Sequence, residues 1–237
     1  MSIAENIAAV REKINAAARR ADRDSDEITL MAVSKTFPAE SIREAYASGL
    51  RIFGESRVQE FTSKLESVKD LQDAEWHMIG HLQTNKAAKA AELFHAVDSL
   101  DSLRLAEKLN SAAQELGKKL RILIEINVGG EAAKTGIAPD SQELENILQA
   151  APRLASLEIR GLMTVPPFTE DPQGARSFFQ RVRQLRDQIA ARHLPKISVD
   201  VLSTGMSHDF EVAIEEGSTC VRVGTAIFGK RNYVSGD

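Results

Sequence analysis

Hydrophobic positions along this chain alternate between two periods, and the alternation predicts eight strands, each followed by a helix. Apolar residues at helical spacing predict a first helix over 3–21. Short apolar runs predict strands at 28–36, 51–54, 75–79, 93–97, 120–128, 157–165, 197–202 and 220–223. Between them, helices are predicted at 38–48, 56–68, 84–91, 101–117, 139–151, 172–192 and 207–216.

Eight strand–helix units are typical of an α/β protein built as a single (β/α)8 TIM-type barrel with an outer ring of helices. An open doubly wound sheet is the alternative, because strand count alone does not prove closure. No G-x-G-x-x-G motif follows the first strand, which argues against that alternative. No linker-like stretch divides the chain, so residues 1–237 are expected to form one domain.

The composition of the chain argues against several classes of protein. The net charge is −4, from 30 basic and 34 acidic residues, which gives no electrostatic reason to bind nucleic acid. The one cysteine, Cys220, excludes an internal disulfide and suits a reducing compartment. No signal peptide and no apolar run of about 20 residues is found, so neither secretion nor membrane insertion is expected. We therefore expect a cytoplasmic protein, and, without a large exposed apolar stripe, a monomer.

Lys35 follows the first apolar strand, at the end where parallel α/β sheets bind ligands. A lysine that is partly desolvated there has its ammonium form disfavoured and can act as a Schiff-base nucleophile. Taken alone, the position favours a lysine that simply extends to solvent.

Polar residues at the predicted strand ends form a rim that is rich in donors and poor in carboxylates, as an anionic, planar ligand would need. The rim comprises Ser34, Lys35, Glu55, Ser56, Arg57, His77, His81, Asp98, Asn127, Met163, Thr164, Ser203, Thr204, Gly205, Arg222, Gly224 and Thr225. The loops predicted at 203–207 and 224–225 follow strands seven and eight, where many barrels bind phosphate. Ordinary turn glycines and helix caps would give the same residues.

Two other chemistries fit less well. His77 and His81 have the spacing of a helical metal pair, but Gly80 lies between them and no acidic third ligand is near in sequence, so no metal is expected. Ser203 and Ser207 lack a G-x-S-x-G elbow, which argues against a serine hydrolase.

Several longer motifs carry a family resemblance. They are Ala32-Val33-Ser34-Lys35-Thr36, Phe53-Gly54-Glu55-Ser56-Arg57-Val58-Gln59-Glu60, Trp76-His77-Met78-Ile79-Gly80-His81-Leu82-Gln83-Thr84-Asn85-Lys86, Gly161-Leu162-Met163-Thr164-Val165-Pro166-Pro167, Gly205-Met206-Ser207-His208-Asp209-Phe210-Glu211 and Val221-Arg222-Val223-Gly224-Thr225-Ala226-Ile227-Phe228-Gly229. With Asn127-Val128, Lys134 and Gly136, they closely resemble the pyridoxal phosphate homeostasis (YggS-like, proline-synthetase co-transcribed) family. That family is similar to the barrel domain of alanine racemase, a pyridoxal-phosphate fold type III.

The resemblance implies pyridoxal 5′-phosphate bound to Lys35 as an internal aldimine. It implies that Ser203, Gly224 and Thr225 hold the phosphate and that Arg222 faces the pyridine nitrogen. The remaining cofactor-binding residues expected are Ser56, Asn127, Met163 and Gly205. Ser56 and Thr204 depart from the Asn and Met that the family commonly has, so a side-chain contact from Ser56 is less secure.

Two functions follow from this resemblance. The first is a non-catalytic carrier or regulator in vitamin B6 homeostasis, which delivers the cofactor to pyridoxal-phosphate-dependent apoenzymes. The second is an amino-acid racemase or related enzyme. An arginine at the ring nitrogen weakens the cofactor as an electron sink, and the only tyrosines, Tyr46 and Tyr233, are not at strand ends, so the first is preferred. A second, noncovalent cofactor site could involve Lys86 and Lys134, although solvated lysines are the simpler interpretation.

Overall fold

Eight parallel strands close into one barrel, with each strand paired to the next in chain order. The computed structural model describes residues 2–131 and 135–230. The strands are β1 Thr29–Val33, β2 Ile52–Glu55, β3 Glu75–Met78, β4 Ala96–Leu100, β5 Leu120–Glu125, β6 Leu157–Met163, β7 Ile197–Met206 and β8 Cys220–Val223. Closure is made by β1 and β8, where Leu30 pairs with Val221 and Ala32 with Val223. The barrel is confirmed, and the open sheet is excluded.

Helices surround the barrel, most of them in the connections between strands. They are α1 Ile3–Arg20, α2 Ala39–Ala47, α3 Val58–Lys64, α4 Ala87–Leu93, α5 Leu103–Glu115, α6 Gln142–Ala150, α7 Arg176–Ala191, α8 Phe210–Glu215 and α9 Thr225–Phe228. A capping box between Ser2 and Glu5 begins α1, and its apolar face is buried as predicted. Within the described ranges, no helix is both long and apolar enough to cross a bilayer.

The layer between sheet and helices contains an aromatic cluster. Trp76 on β3 lies 5.1 Å from Phe53 and 4.8 Å from Phe61 between ring centroids, and Phe61 lies 5.0 Å from Phe94. All four side chains are buried. Since β-strand side chains alternate between faces, Trp76 points outward to the helices and His77 points into the barrel.

The fourth strand was predicted wrongly at 93–97 and lies at Ala96–Leu100. Leu93 ends α4 and Phe94 packs against Phe61, so these two apolar residues belong to the helical layer and not to the strand. The strand instead contains two buried polar residues. Asp98 is paired with His77, and Ser99 Oγ donates to the backbone oxygen of Gly80 at 2.7 Å. Polar groups with such partners can be buried, and the hydrophobic pattern cannot reveal those partners.

The seventh strand is longer than predicted, since it continues past Leu202 to Met206. Met206 pairs with Arg222 of β8, and Ser203 pairs with Cys220. The segment predicted as a loop at 203–207 is therefore mostly strand. Further along the chain, α6 begins at Gln142 with Ser141 as its cap, three residues after the predicted start at 139.

Candidate functional site

A cavity of about 300 Å³ opens at the carboxyl ends of β1, β7 and β8. It is lined by Val33, Lys35, Ile79, Val165, Met206, Ser207, His208, Arg222, Gly224 and Thr225. Among these described lining residues none is acidic, and two, Lys35 and Arg222, are basic. Its volume falls at the lower end of the range for small-molecule sites, and its charge suits an anion.

Lys35 reaches this cavity from a tight turn that directly follows β1. The amide of Phe37 donates to the backbone oxygen of Ser34 at 3.1 Å and closes the turn. Thr36 adopts a left-handed conformation with φ of 68°, which is uncommon for a β-branched residue. Lys35 itself is half-buried and lines the cavity.

Backbone amides converge on the other side of the cavity, where β8 leads into α9. Ser207 Oγ accepts hydrogen bonds from the amides of Gly224 at 3.2 Å and Ala226 at 3.3 Å. Gly224 is buried and Thr225 is exposed, and both line the cavity. The Ser207 hydroxyl thus accepts from two backbone amides at the start of α9, and amides and hydroxyls of this kind are groups that a phosphate can use.

Arg222 lies inside the barrel below these amides, with only 3% of its surface exposed. Its guanidinium donates to the backbone oxygen and to Oγ of Ser203, and to the backbone oxygen of Thr164, each at 2.7 Å. Burial lowers the pKa of Arg222, but an arginine remains charged at physiological pH. The cavity therefore has a fixed cation at its base.

Ser203 and Thr204 are fully buried within β7, and neither lines the cavity. Because the strand runs on to Met206, the first hydroxyl beyond its end belongs to Ser207. Ser203 Oγ is held by Arg222 instead. The expectation that Ser203 contacts a phosphate stays a prediction.

Gly205 has a packing role in this structure. Its φ is +93°, and a Cβ at this position would lie 2.6 Å from Cβ of Ala213 on α8. Only glycine permits this close approach of the helix to the strand. The expected cofactor contact of Gly205 stays a prediction.

Three further predicted residues lie outside the cavity lining. Met163 is fully buried at the end of β6. Asn127 stabilises the turn after β5, since its Oδ1 accepts from the amide of Gly130 at 3.0 Å. Ser56 lines a separate pocket of about 260 Å³ that also includes Lys86. Lys134 and Tyr233 lie outside the described residues.

His77 has an acidic neighbour that the sequence did not indicate. Its Nδ1 lies 3.0 Å from the buried carboxylate of Asp98, inside the barrel. Burial alone would lower the pKa of His77, but Asp98, with help from Glu75, raises it to about 9. His81 pairs separately with Asp101. In the described part of the chain, no group of three or more His, Cys, Asp or Glu side chains could hold a metal ion.

The cavity contains residues that sequence reasoning did not assign to it. They are Val33, Ile79, Val165 and His208, whereas Met206 and Ser207 lie in the segment 203–207 that was predicted to bind phosphate. His208 follows Ser207 just beyond the true end of β7, so a correct strand boundary would have identified it. The apolar residues of the cavity lining belong to no pattern that indicates a ligand site, so only the closed barrel shows that they line it.

The chain is similar to known proteins over nearly its whole length. The chain matches the family described as alanine racemase, N-terminal domain, over residues 6–232. It is 43% identical over 233 residues to the pyridoxal phosphate homeostasis protein of Aquifex aeolicus, covering 98% of this chain and 100% of that protein. The protein of the same name from Escherichia coli is 44% identical over 233 residues, covering 98% of this chain and 97% of that protein.

Two solved structures show the same fold. PipY of Synechococcus elongatus, in a structure with pyridoxal phosphate (PLP) bound, has a TM-score of 0.83 and 37% identity, covering 96% of this chain and 100% of that one. An alanine racemase of Clostridium difficile has a TM-score of 0.73 and 15% identity, covering 100% of this chain and 58% of that one. At that identity the second likeness shows the fold alone.

Proposed function

The chain belongs to the pyridoxal phosphate homeostasis protein family and to the alanine racemase N-terminal domain family, and we propose that it binds pyridoxal 5′-phosphate covalently through Lys35. One observation carries the proposal. A single cavity brings together Lys35, the buried Arg222 and the amides that converge near Gly224. The PLP-bound structure of PipY, a relative at 37% identity, supports the same ligand class.

The residues present fit this ligand. When bound, pyridoxal phosphate supplies an electrophilic aldehyde, a phosphate dianion and an aromatic ring nitrogen. The amine of Lys35 would bond to the aldehyde carbon, and water would leave. The amides of Gly224 and Ala226 and the hydroxyls of Ser207 and Thr225 would serve the phosphate, whereas Ser203 would hold Arg222 in place. Arg222 would face the ring nitrogen, and Ser56, Asn127, Met163 and Gly205 would support the site from further away.

We propose a carrier or regulator in vitamin B6 homeostasis, with weak or no amino-acid chemistry. A guanidinium holds its protons at all accessible pH values, so it cannot protonate a ring nitrogen beside it. The tyrosine that the structure describes, Tyr46, binds Asp73 on the outside of the barrel. The recipients would be pyridoxal-phosphate-dependent apoenzymes in the cytoplasm. A monomer is proposed because, within the described ranges, the large apolar side chains left exposed are Leu116, Val165 and Phe168.

Borohydride trapping tests the ligand and the lysine together. Wild type and the variants Lys35→Ala and Lys89→Ala are mixed with pyridoxal phosphate, reduced, digested and mapped by mass spectrometry. Lys89 is an exposed lysine of α4 paired with Glu92, so its variant is the control. We expect the modified peptide to contain Lys35 in wild type and in the control, and the modification to be lost in Lys35→Ala. An unmodified wild type, or equal modification without Lys35, would contradict the proposal.

A further inference from the structure

We propose that Glu60 and Lys64 of α3 are positioning residues for Lys35, an inference that rests on the proposed function. Neither residue lines the cavity. They act on the backbone immediately before and after Lys35, and so determine where its amine is presented. Their role is distinct from that of residues that would touch the cofactor.

The ion pair of α3 binds both peptide groups that flank Lys35. Glu60 Oε1 accepts a hydrogen bond from the amide of Thr36 at 2.5 Å. Lys64 Nζ donates to the backbone oxygen of Ser34 at 3.1 Å. The two side chains are joined to each other by a contact of 2.6 Å. The turn is therefore attached to the helix at two points, one on each side of the functional lysine.

The turn needs such attachment because its conformation is unfavourable by itself. Thr36 has φ of 68°, and a β-branched residue rarely adopts this left-handed region. Strained residues of this kind persist only when surrounding contacts determine their conformation. The amide of Thr36 donates to Glu60, which gives that conformation a specific partner.

A buried carboxylate fixes the position of Lys64. Glu55 at the end of β2 is completely buried, and its Oε1 lies 3.1 Å from Lys64 Nζ. Ser34 Oγ donates to the same oxygen at 2.8 Å. The side chain of Lys64 is only 12% exposed, so the ammonium is held between Glu55, Glu60 and Ser34. A lysine used only for solubility would not be arranged in this way.

Two substitutions of Glu60 separate positioning from simple ion pairing. Glu60→Ala removes the acceptor of the Thr36 amide, whereas Glu60→Gln retains an acceptor oxygen but loses the charge. We expect Glu60→Ala to weaken pyridoxal phosphate binding about tenfold, the effect of one lost charge-assisted hydrogen bond, and Glu60→Gln to retain most of the affinity. If Glu60 served only the ion pair, both variants would weaken binding equally. Glu66→Ala, which breaks the exposed pair with Lys69 just beyond α3, is the matched control.

Amide hydrogen exchange gives a readout that needs no cofactor. In the protein without ligand, Glu60→Ala should speed exchange of the Thr36 amide, and Glu66→Ala should leave it unchanged. Lys64→Met should behave like Glu60→Ala, and thermal unfolding shows whether that variant still folds. If Glu60→Ala shows the same exchange of the Thr36 amide and the same affinity for pyridoxal phosphate as wild type, the positioning role is wrong. The Thr36 amide of wild type could exchange as expected while Lys35 forms no adduct with pyridoxal phosphate. In that case the proposed function is wrong, and Glu60 and Lys64 have no functional lysine to position.

Discussion

Arg222 on β8 donates to both the backbone oxygen and the hydroxyl of Ser203 on β7, each at 2.7 Å. A third bond of the same length goes to the backbone oxygen of Thr164. In the described part of the chain, the buried guanidinium has no hydrogen bond to a carboxylate, so uncharged oxygens offset the cost of its burial. Arg222 is thus fixed at the base of the cavity by three hydrogen bonds, and its guanidinium does not give up a proton.

We predict from this arrangement that the protein does not sustain amino-acid chemistry. Protein loaded with pyridoxal phosphate is incubated with each amino acid in deuterated water, and exchange of the α-proton is followed by NMR. The expected rate is within about tenfold of free pyridoxal phosphate, far below the typical enzymatic range of about 1 to 1000 per second. Exchange at enzymatic rates that disappears in Lys35→Ala would establish an enzyme and exclude the simple carrier.

Substituting Ser203 and Ser207 one at a time should separate an effect on stability from an effect on ligand binding. Ser207→Ala removes the hydroxyl that lines the cavity, so its affinity for pyridoxal phosphate should fall about tenfold. Ser203→Ala removes one bond to a buried guanidinium, so the free energy of unfolding should fall by about 2 kcal/mol.

The affinity of Ser203→Ala should stay within about twofold of wild type, a small difference on the scale of one hydrogen bond. Calorimetric titration and denaturant unfolding measure the two quantities. A large loss of affinity in Ser203→Ala, with Ser207→Ala unaffected, would instead assign the phosphate contact to Ser203, as the sequence predicted.

The His77–Asp98 pair predicts a loss of stability at alkaline pH. The pKa of His77 is about 9 in the folded state, against 6.5 ordinarily, so folding favours the protonated ring. The contribution is complete below pH 6.5 and is lost as the pH rises to 9. At about 1.4 kcal/mol per pKa unit, up to about 3 kcal/mol is lost across this window.

Denaturant unfolding at several pH values measures this decline. Asp98→Asn should reduce the loss of stability with pH, because the carboxylate that keeps His77 protonated is gone. His81→Gln, which removes an exposed histidine, should leave the decline in place. A wild-type profile that stays level between pH 6.5 and 9 would contradict the assignment of a charged His77.

Much of the fold could be predicted from local pattern. The apolar face of α1 and most of the short strands are set by hydrophobic period, and the eight strands were predicted in the right order, although the fourth lies three residues further along the chain. Lys35, Arg222, Gly224 and Thr225 were also found from the sequence, because strand ends in a parallel barrel meet at one mouth. Their convergence depends on topology, which the repeated strand–helix alternation specifies.

Other features depended on contacts between residues far apart in the chain. Asp98 could enter β4 because His77 on the neighbouring strand β3 pairs with it, and β7 could extend through Ser203 because Arg222 binds its polar groups. A hydrophobic pattern treats such residues as loop, since it contains no information about their partners. The attachment of the Lys35 turn to Glu60 and Lys64 is of the same kind. The sequence by itself determined the barrel and the lysine at its mouth. The tertiary structure alone decided which polar groups are buried, because only there do their partners come within hydrogen-bonding distance.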